Sequence, residues 1–279
     1  MKLADMRAII TGAGSGLGAA IARRFAEEGA AVVLAGRRRH ALDAVAGMIG
    51  KTGAKAKLVV CPTDLAHENE IARLVATAVT ELGGLDILVN SAGVNGPFGT
   101  VDALDWREWR NAFEVNFFGA VNCCRLALPH LRRARRGKIV LISGGGAAAP
   151  LPKITAYGAA KAALVRYAES LALEVAGAID VNCVAPGAMK TDITAEYLER
   201  GRGVLPADFL ARIEKLLADG GTPPERAADL VVYLASAESD GLSGKLIAAV
   251  WDPWPFDEAA RKRLMASETY TLRRVVPKD

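Results

Sequence analysis

Short apolar stretches alternate with longer amphipathic stretches along most of the chain. Residues 7–11 are apolar, a glycine-rich turn follows, and a segment with apolar residues at helical spacing leads to a second apolar stretch at residues 31–35. This order predicts a strand, a tight turn, a helix and a second strand. Further strands are predicted at residues 57–61, 86–90, 138–142, 178–184 and 245–250, and further helices at residues 39–49, 68–82, 106–133, 157–175 and 224–235.

The predicted strands are apolar along their whole length, which is typical of strands that are buried on both faces of a sheet. Strands that alternate regularly with helices predict an α/β fold, with a doubly wound parallel sheet of about seven strands and helices on both faces. In such open sheets, ligands bind beyond the carboxyl ends of the strands. We therefore expect the functional residues just after Thr11, Asn90, Ile142 and Val184.

Two regions depart from the alternation. Residues 188–221 carry many charges together with Gly201, Gly203 and Pro206, and they predict an excursion of two short helices. Residues 251–279 are polar and basic without a strong period, and we expect them to pack as a tail on the same domain or on a neighbouring subunit. Residues 1–250 are then predicted to form one domain, because no linker divides them.

The composition is that of a globular protein, with 51% apolar and 24% charged residues among 279. A net charge of +4 is too small to indicate binding to nucleic acid or to a membrane. The four cysteines and three histidines show no metal-ligand spacing, so no metal site is predicted. No signal peptide and no apolar run of about 20 residues is found, which predicts a cytoplasmic protein.

The turn after the first strand indicates a dinucleotide phosphate site. Glycines let the backbone turn tightly and approach a pyrophosphate, while the N-terminus of the following helix supplies N–H groups. The alternative is a purely structural turn, but its position between the first strand and the first helix favours the nucleotide. The predicted contacts are Gly12, Ser15, Gly16, Leu17 and Gly18.

The end of the second strand indicates which nicotinamide cofactor binds. NAD-binding folds place an acidic residue there, whereas an arginine accommodates the 2′-phosphate of NADP. Gly36 occupies this position and Arg37 and Arg38 follow, so NADP is predicted and NAD is the alternative. Asp64, with Leu65, is expected beside the adenine ring, although Asp64 could equally cap a helix.

Tyr157 and Lys161 are a candidate pair for proton transfer. Residues four apart on a helix lie on the same face, and a nearby positive charge favours the phenolate form of a tyrosine. General acid–base chemistry near neutral pH needs such a group. Taken alone, however, the pair is more often an ordinary half-exposed face of a helix.

Several short motifs together resemble the short-chain dehydrogenase/reductase family over about residues 7–249. They are TGAGSGLG at residues 11–18, NSAG at residues 90–93, Asn116, Ser143, Tyr157-x-x-x-Lys161, and Pro186-Gly187 with Thr191. The resemblance implies a single Rossmann-fold domain, binding of a nicotinamide nucleotide, and interconversion of a small-molecule carbonyl and an alcohol by hydride transfer. It also implies that residues 188–221 form a substrate lid.

The resemblance implies a role for each matching residue. Tyr157 would be the general acid or base, and Lys161 would lower the pKa of Tyr157 and bind the nicotinamide ribose. Ser143 would hold the substrate oxygen, and Asn116 would bind a water that connects Lys161 to solvent. The remaining cofactor contacts would be Asn90, Ala92 and Gly93 on the adenosine side and Pro186, Gly187 and Thr191 beside the nicotinamide.

Two departures from the family pattern and three alternatives remain open. Ser91 stands where a second asparagine is more usual, and residues 248–254 replace the aspartate and paired glycines that commonly follow the last strand. The alternatives are an NAD(H)-dependent dehydrogenase, an enoyl or imine reductase, and a cofactor-binding scaffold without turnover. By resemblance, the chain is expected to form a homotetramer or homodimer through the helices at residues 106–133 and 158–175.

Overall fold

The computed structural model describes residues 1–275. The strands are β1 (Arg7–Thr11), β2 (Ala31–Gly36), β3 (Leu58–Pro62), β4 (Ile87–Asn90), β5 (Gly137–Ile142), β6 (Ile179–Ala185) and β7 (Leu246–Ala248). The helices are α1 (Gly16–Glu27), α2 (Arg39–Lys51), α3 (Glu68–Leu82), α4 (Trp106–Phe113), α5 (Gly119–Leu131), α6 (Thr155–Glu174), α7 (Asp192–Gly201), α8 (Ala207–Asp219), α9 (Pro224–Ala235) and α10 (Glu258–Met265). Within this described part of the chain, none of the helices has both the length and the apolar character that a membrane crossing needs.

All seven strands are parallel and form one sheet in the order β3-β2-β1-β4-β5-β6-β7. The predicted doubly wound parallel sheet is therefore confirmed. The direction of strand succession reverses between β1 and β4, and a crevice opens at the carboxyl ends of the strands at such a switch point. The predicted site segments lie at or just after the carboxyl ends of strands, except for two helical ones, which hold Asn116 and the pair Tyr157 and Lys161.

The sheet divides the core into two layers, which explains why the strands are apolar throughout. Ile10 and Val32 face one layer, where they pack with side chains of α1, α2 and α9. Ile9 and Val33, their neighbours along the strands, face the other layer with α3, α5 and α6. Because consecutive side chains of a strand point to opposite faces, a strand covered on both sides needs apolar residues at every position.

The helix predicted at residues 106–133 is interrupted by a π-helical segment, Glu114–Phe118, between α4 and α5. A π turn holds one more residue than an α turn, and such segments occur frequently at functional sites. Asn116 lies in this segment and is buried. Its side chain therefore points away from the regular helical register and reaches the loop that follows β4.

Residues 251–275 pack against the same chain. The indole of Trp254 donates a hydrogen bond to the carbonyl of Ala249 (3.0 Å), and the Arg226 guanidinium lies 4.0 Å from its ring centroid. Farther along, the Leu246 amide donates to the carbonyl of Tyr270 (2.8 Å), so the tail covers the outer edge of β7. The tail also contains α10, which the sequence pattern did not indicate.

Candidate active site

A cavity of about 750 Å³ lies at the carboxyl ends of the central strands, between the glycine-rich turn and the two helices α7 and α8. Nearly all of the residues predicted from the sequence line it. They are Gly12, Ser15, Gly16, Leu17, Gly18, Arg37, Arg38, Asp64, Leu65, Ala92, Gly93, Ser143, Tyr157, Lys161, Pro186, Gly187 and Thr191. The predicted residues Asn90 and Asn116 lie behind its wall.

The glycine-rich turn has a backbone that only glycine can adopt. Gly12 and Gly16 have φ angles of 69° and 51°, which side chains disfavour. A Cβ atom on Gly18 would lie 2.1 Å from the Gly12 carbonyl oxygen, and one on Gly12 would lie 2.8 Å from Cα of Ala92. The close packing brings the N-terminus of α1 to the cavity, where its amides could hold phosphate.

The first amides of α1 are also available to a ligand. Among the described residues, no side chain caps this helix, because the Ser15 side chain makes no capping hydrogen bond. The first four N–H groups of a helix have no partner within the helix. The turn therefore fits the diphosphate of a dinucleotide, both in its space and in its free donors.

Basic side chains lie at the end of the cavity beyond β2. Arg37 and Arg38 line it, and the Arg38 guanidinium is 3.6 Å from the Asp192 carboxylate at the start of α7. Arg39, in contrast, pairs with Asp43 at 3.3 Å on the exposed face of α2. Two guanidinium groups could therefore contact a phosphate here, while the third belongs to the surface.

Asp64 serves two purposes. It lines the cavity, and its carboxylate accepts a hydrogen bond from the Ala66 amide (3.0 Å), which fixes the turn before α3. Asp64 does not cap α3, whose N-cap residue is His67, and its place beside the adenine ring stays a prediction.

Asn90 holds the sheet to a helix. Its side chain is buried, and its Nδ2 donates to the carbonyl of Ala120 in α5 (3.2 Å). Asn90 therefore does not line the cavity, whereas Ala92 and Gly93 do, and the place of these residues on the adenosine side stays a prediction. Thr11 fixes these neighbours, because its hydroxyl oxygen accepts from the Ser91 and Ala92 amides at 3.1 and 3.2 Å.

Ser143, directly after β5, and Tyr157, on α6, both line the cavity. The Ser143 hydroxyl is buried and has no hydrogen-bond partner within residues 1–275. A Cβ atom on Gly144 would lie 2.4 Å from Oη of Tyr157. Gly144 was not singled out in the sequence, yet any larger residue there would displace the phenol.

Lys161 and Asn116 flank Gly93 behind Tyr157. The Lys161 ammonium donates to the carbonyl of Ile142 (2.8 Å) and lies 5.6 Å from the Tyr157 ring centroid. The Asn116 side chain accepts from the Val94 amide (2.9 Å) and donates to the Val94 carbonyl (2.8 Å). The asparagine thereby fixes the loop whose Gly93 backbone lies next to the lysine.

Burial dominates the pKa values of the tyrosine and the lysine. Tyr157 has some accessible area because it faces the cavity, but its burial raises the pKa of the phenol to about 12. Burial also lowers the pKa of Lys161 to about 8. Loss of water disfavours both charged forms, so the pKa of Tyr157 lies above its ordinary value even with the Lys161 ammonium nearby. That Lys161 lowers the pKa of Tyr157 stays a prediction.

Comparisons with known proteins agree with this geometry. The family model described as "short chain dehydrogenase" matches residues 6–201. An 11-beta-hydroxysteroid dehydrogenase of Pinus massoniana is 38% identical over 67% of this chain, which spans about half (52%) of that relative. The cis-4-hydroxycyclohexanecarboxylate dehydrogenase of Sinomonas cyclohexanicum is 36% identical, covering 88% of this chain and 95% of the relative.

A solved structure shares the whole architecture. The crystal structure of a short chain dehydrogenase from Burkholderia cenocepacia J2315, in complex with NADP, is 28% identical with a TM-score of 0.76. The similarity covers 89% of this chain and 97% of that one. The shared fold therefore extends beyond the segment matched by the family model, into the last helices of the sheet domain.

Replacing Lys161 with methionine should remove a pH-dependent part of the stability. Because burial lowers the pKa of Lys161 from 10.5 to about 8, the unfolded chain binds more protons than the folded chain between these values. The wild-type protein should therefore gain stability as the pH rises through this window, and Lys161→Met should lack the gain. Urea unfolding of both proteins at pH 7 and pH 10.5 measures this gain in the free energy of unfolding.

The expected change in the stability difference between the two proteins is about 3 kcal/mol in favour of the wild type at the higher pH. Titration of the other groups contributes equally to both proteins and cancels in the difference. A difference that stays constant from pH 7 to pH 10.5 would show that Lys161 is not desolvated in the folded chain.

Proposed function

The chain belongs to the short-chain dehydrogenase family and is an oxidoreductase of the dehydrogenase/reductase kind, and on this premise we propose that it interconverts a carbonyl group and an alcohol with NADP(H). The observation that carries the proposal is the single cavity that Ser143, Tyr157 and Lys161 share with the glycine-rich turn. Groups for proton transfer and groups for nucleotide binding thus face one space.

The residues of the cavity fit a nicotinamide dinucleotide. Gly12, Gly16 and Gly18 would hold its diphosphate, and Arg37 and Arg38 would hold a 2′-phosphate. Pro186, Gly187 and Thr191, together with Lys161, would border the nicotinamide and its ribose, while Asp64, Leu65, Ala92 and Gly93 would border the adenosine. When bound, the cofactor supplies or accepts the hydride, and the protein supplies position and protons.

Tyr157 is the proposed general acid for carbonyl reduction. Its raised pKa keeps the phenol protonated at neutral pH, so a proton is available for the substrate oxygen. The Ser143 hydroxyl is free to donate a hydrogen bond to the same oxygen and to stabilise its developing charge. In alcohol oxidation the phenolate of Tyr157 would accept the proton.

Lys161 is proposed to support the charge that forms on Tyr157. With a pKa of about 8, the lysine is mostly protonated at neutral pH, and a positive charge near the ring stabilises the phenolate left after proton transfer. Asn116 holds the neighbouring loop through Val94. We propose that a water bound near Asn116 returns the proton from solvent to Lys161.

The sequence leaves two other activities open. Reduction of an enoyl or imine group, and cofactor binding without turnover, gain no support from the named relatives, which are dehydrogenases. A cytoplasmic location stays a prediction.

Changing Tyr157 to phenylalanine should abolish most carbonyl reduction while NADPH binding is retained. Loss of a general acid lowers the rate by about 100- to 10,000-fold, because only water can then supply the proton. NADPH consumption with a ketone panel measures the rate, and quenching of protein fluorescence measures binding. Tyr167→Phe, on the same helix α6 and outside the cavity, is the matched control and should keep its activity.

Near-complete activity of Tyr157→Phe would contradict the acid–base assignment. Loss of NADPH binding together with activity would instead show a structural effect of the substitution, and Ser143→Ala would then have to reproduce the rate loss.

Arg37 and Arg38 should make NADPH bind more tightly than NADH. Gly36 leaves the end of β2 without an acid, and hydrogen bonds from charged groups to phosphate contribute about 1.5–3 kcal/mol. Arg37→Ala/Arg38→Ala should therefore lose NADPH affinity by about 10- to 100-fold and change NADH affinity little. Fluorescence titration with both nucleotides measures these constants.

Arg39→Ala is the matched control for charge, because Arg39 pairs with Asp43 outside the cavity. Its NADPH affinity should stay within about twofold of the wild type, since a surface ion pair contributes little. Tighter binding of NADH than of NADPH by the wild-type protein would refute the proposed cofactor and support the NAD(H) alternative.

We propose that the chain forms a homo-oligomer through an aromatic row on α4 and the π-helical segment. Trp106, Trp109, Phe113 and Phe117 follow one another with ring centroids 5.1–5.7 Å apart. Trp106 at one end is 62% exposed, and Phe118 beside Phe117 is 50% exposed. Contiguous exposed aromatic side chains mark interaction surfaces, and a second copy of α4 and α6 would cover them.

Phe118→Lys should shift the protein towards the monomer in sedimentation velocity experiments, because a charge at the buried centre of an interface is costly. Met48→Lys is the control, since Met48 is 58% exposed on α2, away from this row. Equal sedimentation of Phe118→Lys and the wild type as oligomers would exclude this face, and a monomeric wild type would exclude the oligomer.

A further inference from the structure

The part of the cavity beside Tyr157 has an apolar, partly aromatic wall. Leu151 from the loop after β5 and Tyr197 and Phe209 from the lid helices α7 and α8 line it. The ring of Tyr197 lies 5.3 Å from that of Phe209, edge to face, and all three residues pack in one cluster with Tyr157. Flat apolar walls of this kind favour a substrate with a ring-shaped apolar body.

The charges at this end of the cavity are predominantly negative. Glu196, Glu199 and Arg200 line it, and the Arg200 guanidinium already pairs with Glu196 and with Glu108. One cation thus faces two carboxylates, while Glu199 adds a third. A substrate carboxylate would have to enter a site where negative charge is in excess, which is unfavourable because like charges repel.

The other cations near the cavity are not placed to neutralise a substrate carboxylate there. Arg37 and Arg38 follow β2, and the Arg38 guanidinium is paired with the Asp192 carboxylate at the start of α7 (3.6 Å). Lys153 donates to the Val204 carbonyl (2.5 Å) and does not line the cavity. Lys161 lies behind Tyr157, bound to the carbonyl of Ile142.

The Tyr197 hydroxyl has no hydrogen-bond partner within the described residues. Tyr197 is 9% exposed, and none of the hydrogen bonds of residues 1–275 that the structure shows involves its hydroxyl. Burial, with smaller effects of Tyr157 and Glu196, raises the pKa of Tyr197, so the hydroxyl keeps its proton. It can therefore donate to a neutral acceptor oxygen on a substrate that lies against the aromatic wall.

We propose that the substrate is an uncharged ring ketone with a second, neutral acceptor oxygen, that Tyr197 positions this oxygen, and that Glu196 excludes ketones bearing a carboxylate. The inference rests on the proposed function, since it names the substrate class of the same cavity. It goes beyond the family relationship, because the named relative that acts on a cyclohexane ring takes a carboxylate-bearing substrate.

The test compares three ketones with NADPH: cyclohexanone, methyl 4-oxocyclohexanecarboxylate and 4-oxocyclohexanecarboxylate. The ester and the acid share one ring and differ in charge, and cyclohexanone lacks the second acceptor. The ester should have a kcat/KM about 10- to 100-fold above that of the acid, because of the like charges at the lid. Glu196→Gln should raise kcat/KM for the acid about tenfold and change that for the ester less than threefold.

Glu214→Gln is the matched control, because Glu214 lies on α8, pairs with Arg202 and does not line the cavity. Tyr197→Phe keeps the aromatic wall and tests positioning. It should raise KM for the ester about tenfold with kcat nearly unchanged, and leave cyclohexanone unaffected. A purely structural effect of Tyr197→Phe would change KM for the ester and for cyclohexanone alike.

A kcat/KM for the acid that equals or exceeds that for the ester would overturn the inference. An unchanged ratio of the two kcat/KM values in Glu196→Gln would overturn it as well. If cyclohexanone is reduced but the ester and the acid are reduced equally well, the proposed function stands and only the substrate class is refuted. Failure of all three ketones and of a broader aldehyde panel to consume NADPH would refute the proposed function itself.

Discussion

The carboxyl ends of seven parallel strands share one edge of the sheet, and the candidate active site depends on that constraint. Thr11 ends β1, Asn90 ends β4 and Ser143 follows β5, so residues that are far apart in sequence lie beside one cavity. The reversal of strand order between β1 and β4 leaves space there for a long ligand. The sheet thereby supplies the geometry, and the loops supply the chemistry.

Desolvation sets the pKa values of Tyr157 and Lys161, the proposed proton-transfer residues of the cavity. Burial favours the neutral form of a phenol and of an amine. Tyr157 therefore retains its proton, whereas Lys161 loses its proton more easily than an exposed lysine does. A protonated phenol with a cation nearby suits proton donation to an oxygen that gains charge. Helices α7 and α8 line the same cavity, and their predicted role as a lid would exclude water from it.

Local patterns predicted the sheet and the glycine-rich turn, because each depends on sequence neighbours, whereas Ser143 and the lining residues after β4 and β6 were predicted from the family resemblance. Orientation could not be predicted in the same way. Asn90 stands at a strand end, yet its side chain turns to Ala120 in α5, since alternate residues of a strand face opposite layers. Gly144 matters only because the Tyr157 hydroxyl, thirteen residues away, lies against it.

Two further differences between the predicted and the observed elements also depend on the three-dimensional arrangement of the chain. The π-helical segment around Asn116 joins α4 and α5 without a break, so the sequence pattern predicts one continuous helix. The strand β7 ends at Ala248, two residues before the predicted end, because the chain turns there: the Asp252 amide donates to the Ala248 carbonyl (3.2 Å), and the Asp252 carboxylate accepts from the Ala248 amide (2.6 Å). The tail then depends on tertiary contacts, such as that of Trp254 with Arg226.

The central claim is that one cavity holds both the nucleotide and the proton-transfer residues. A crystal structure of the protein with NADP⁺ and an alcohol tests it most directly. The account predicts the 2′-phosphate within ion-pair distance of Arg37 and Arg38, the diphosphate on the glycine-rich turn, and the alcohol oxygen within hydrogen-bond distance of Tyr157 and Ser143. A nucleotide bound elsewhere, or an alcohol oxygen out of reach of Tyr157, would contradict it.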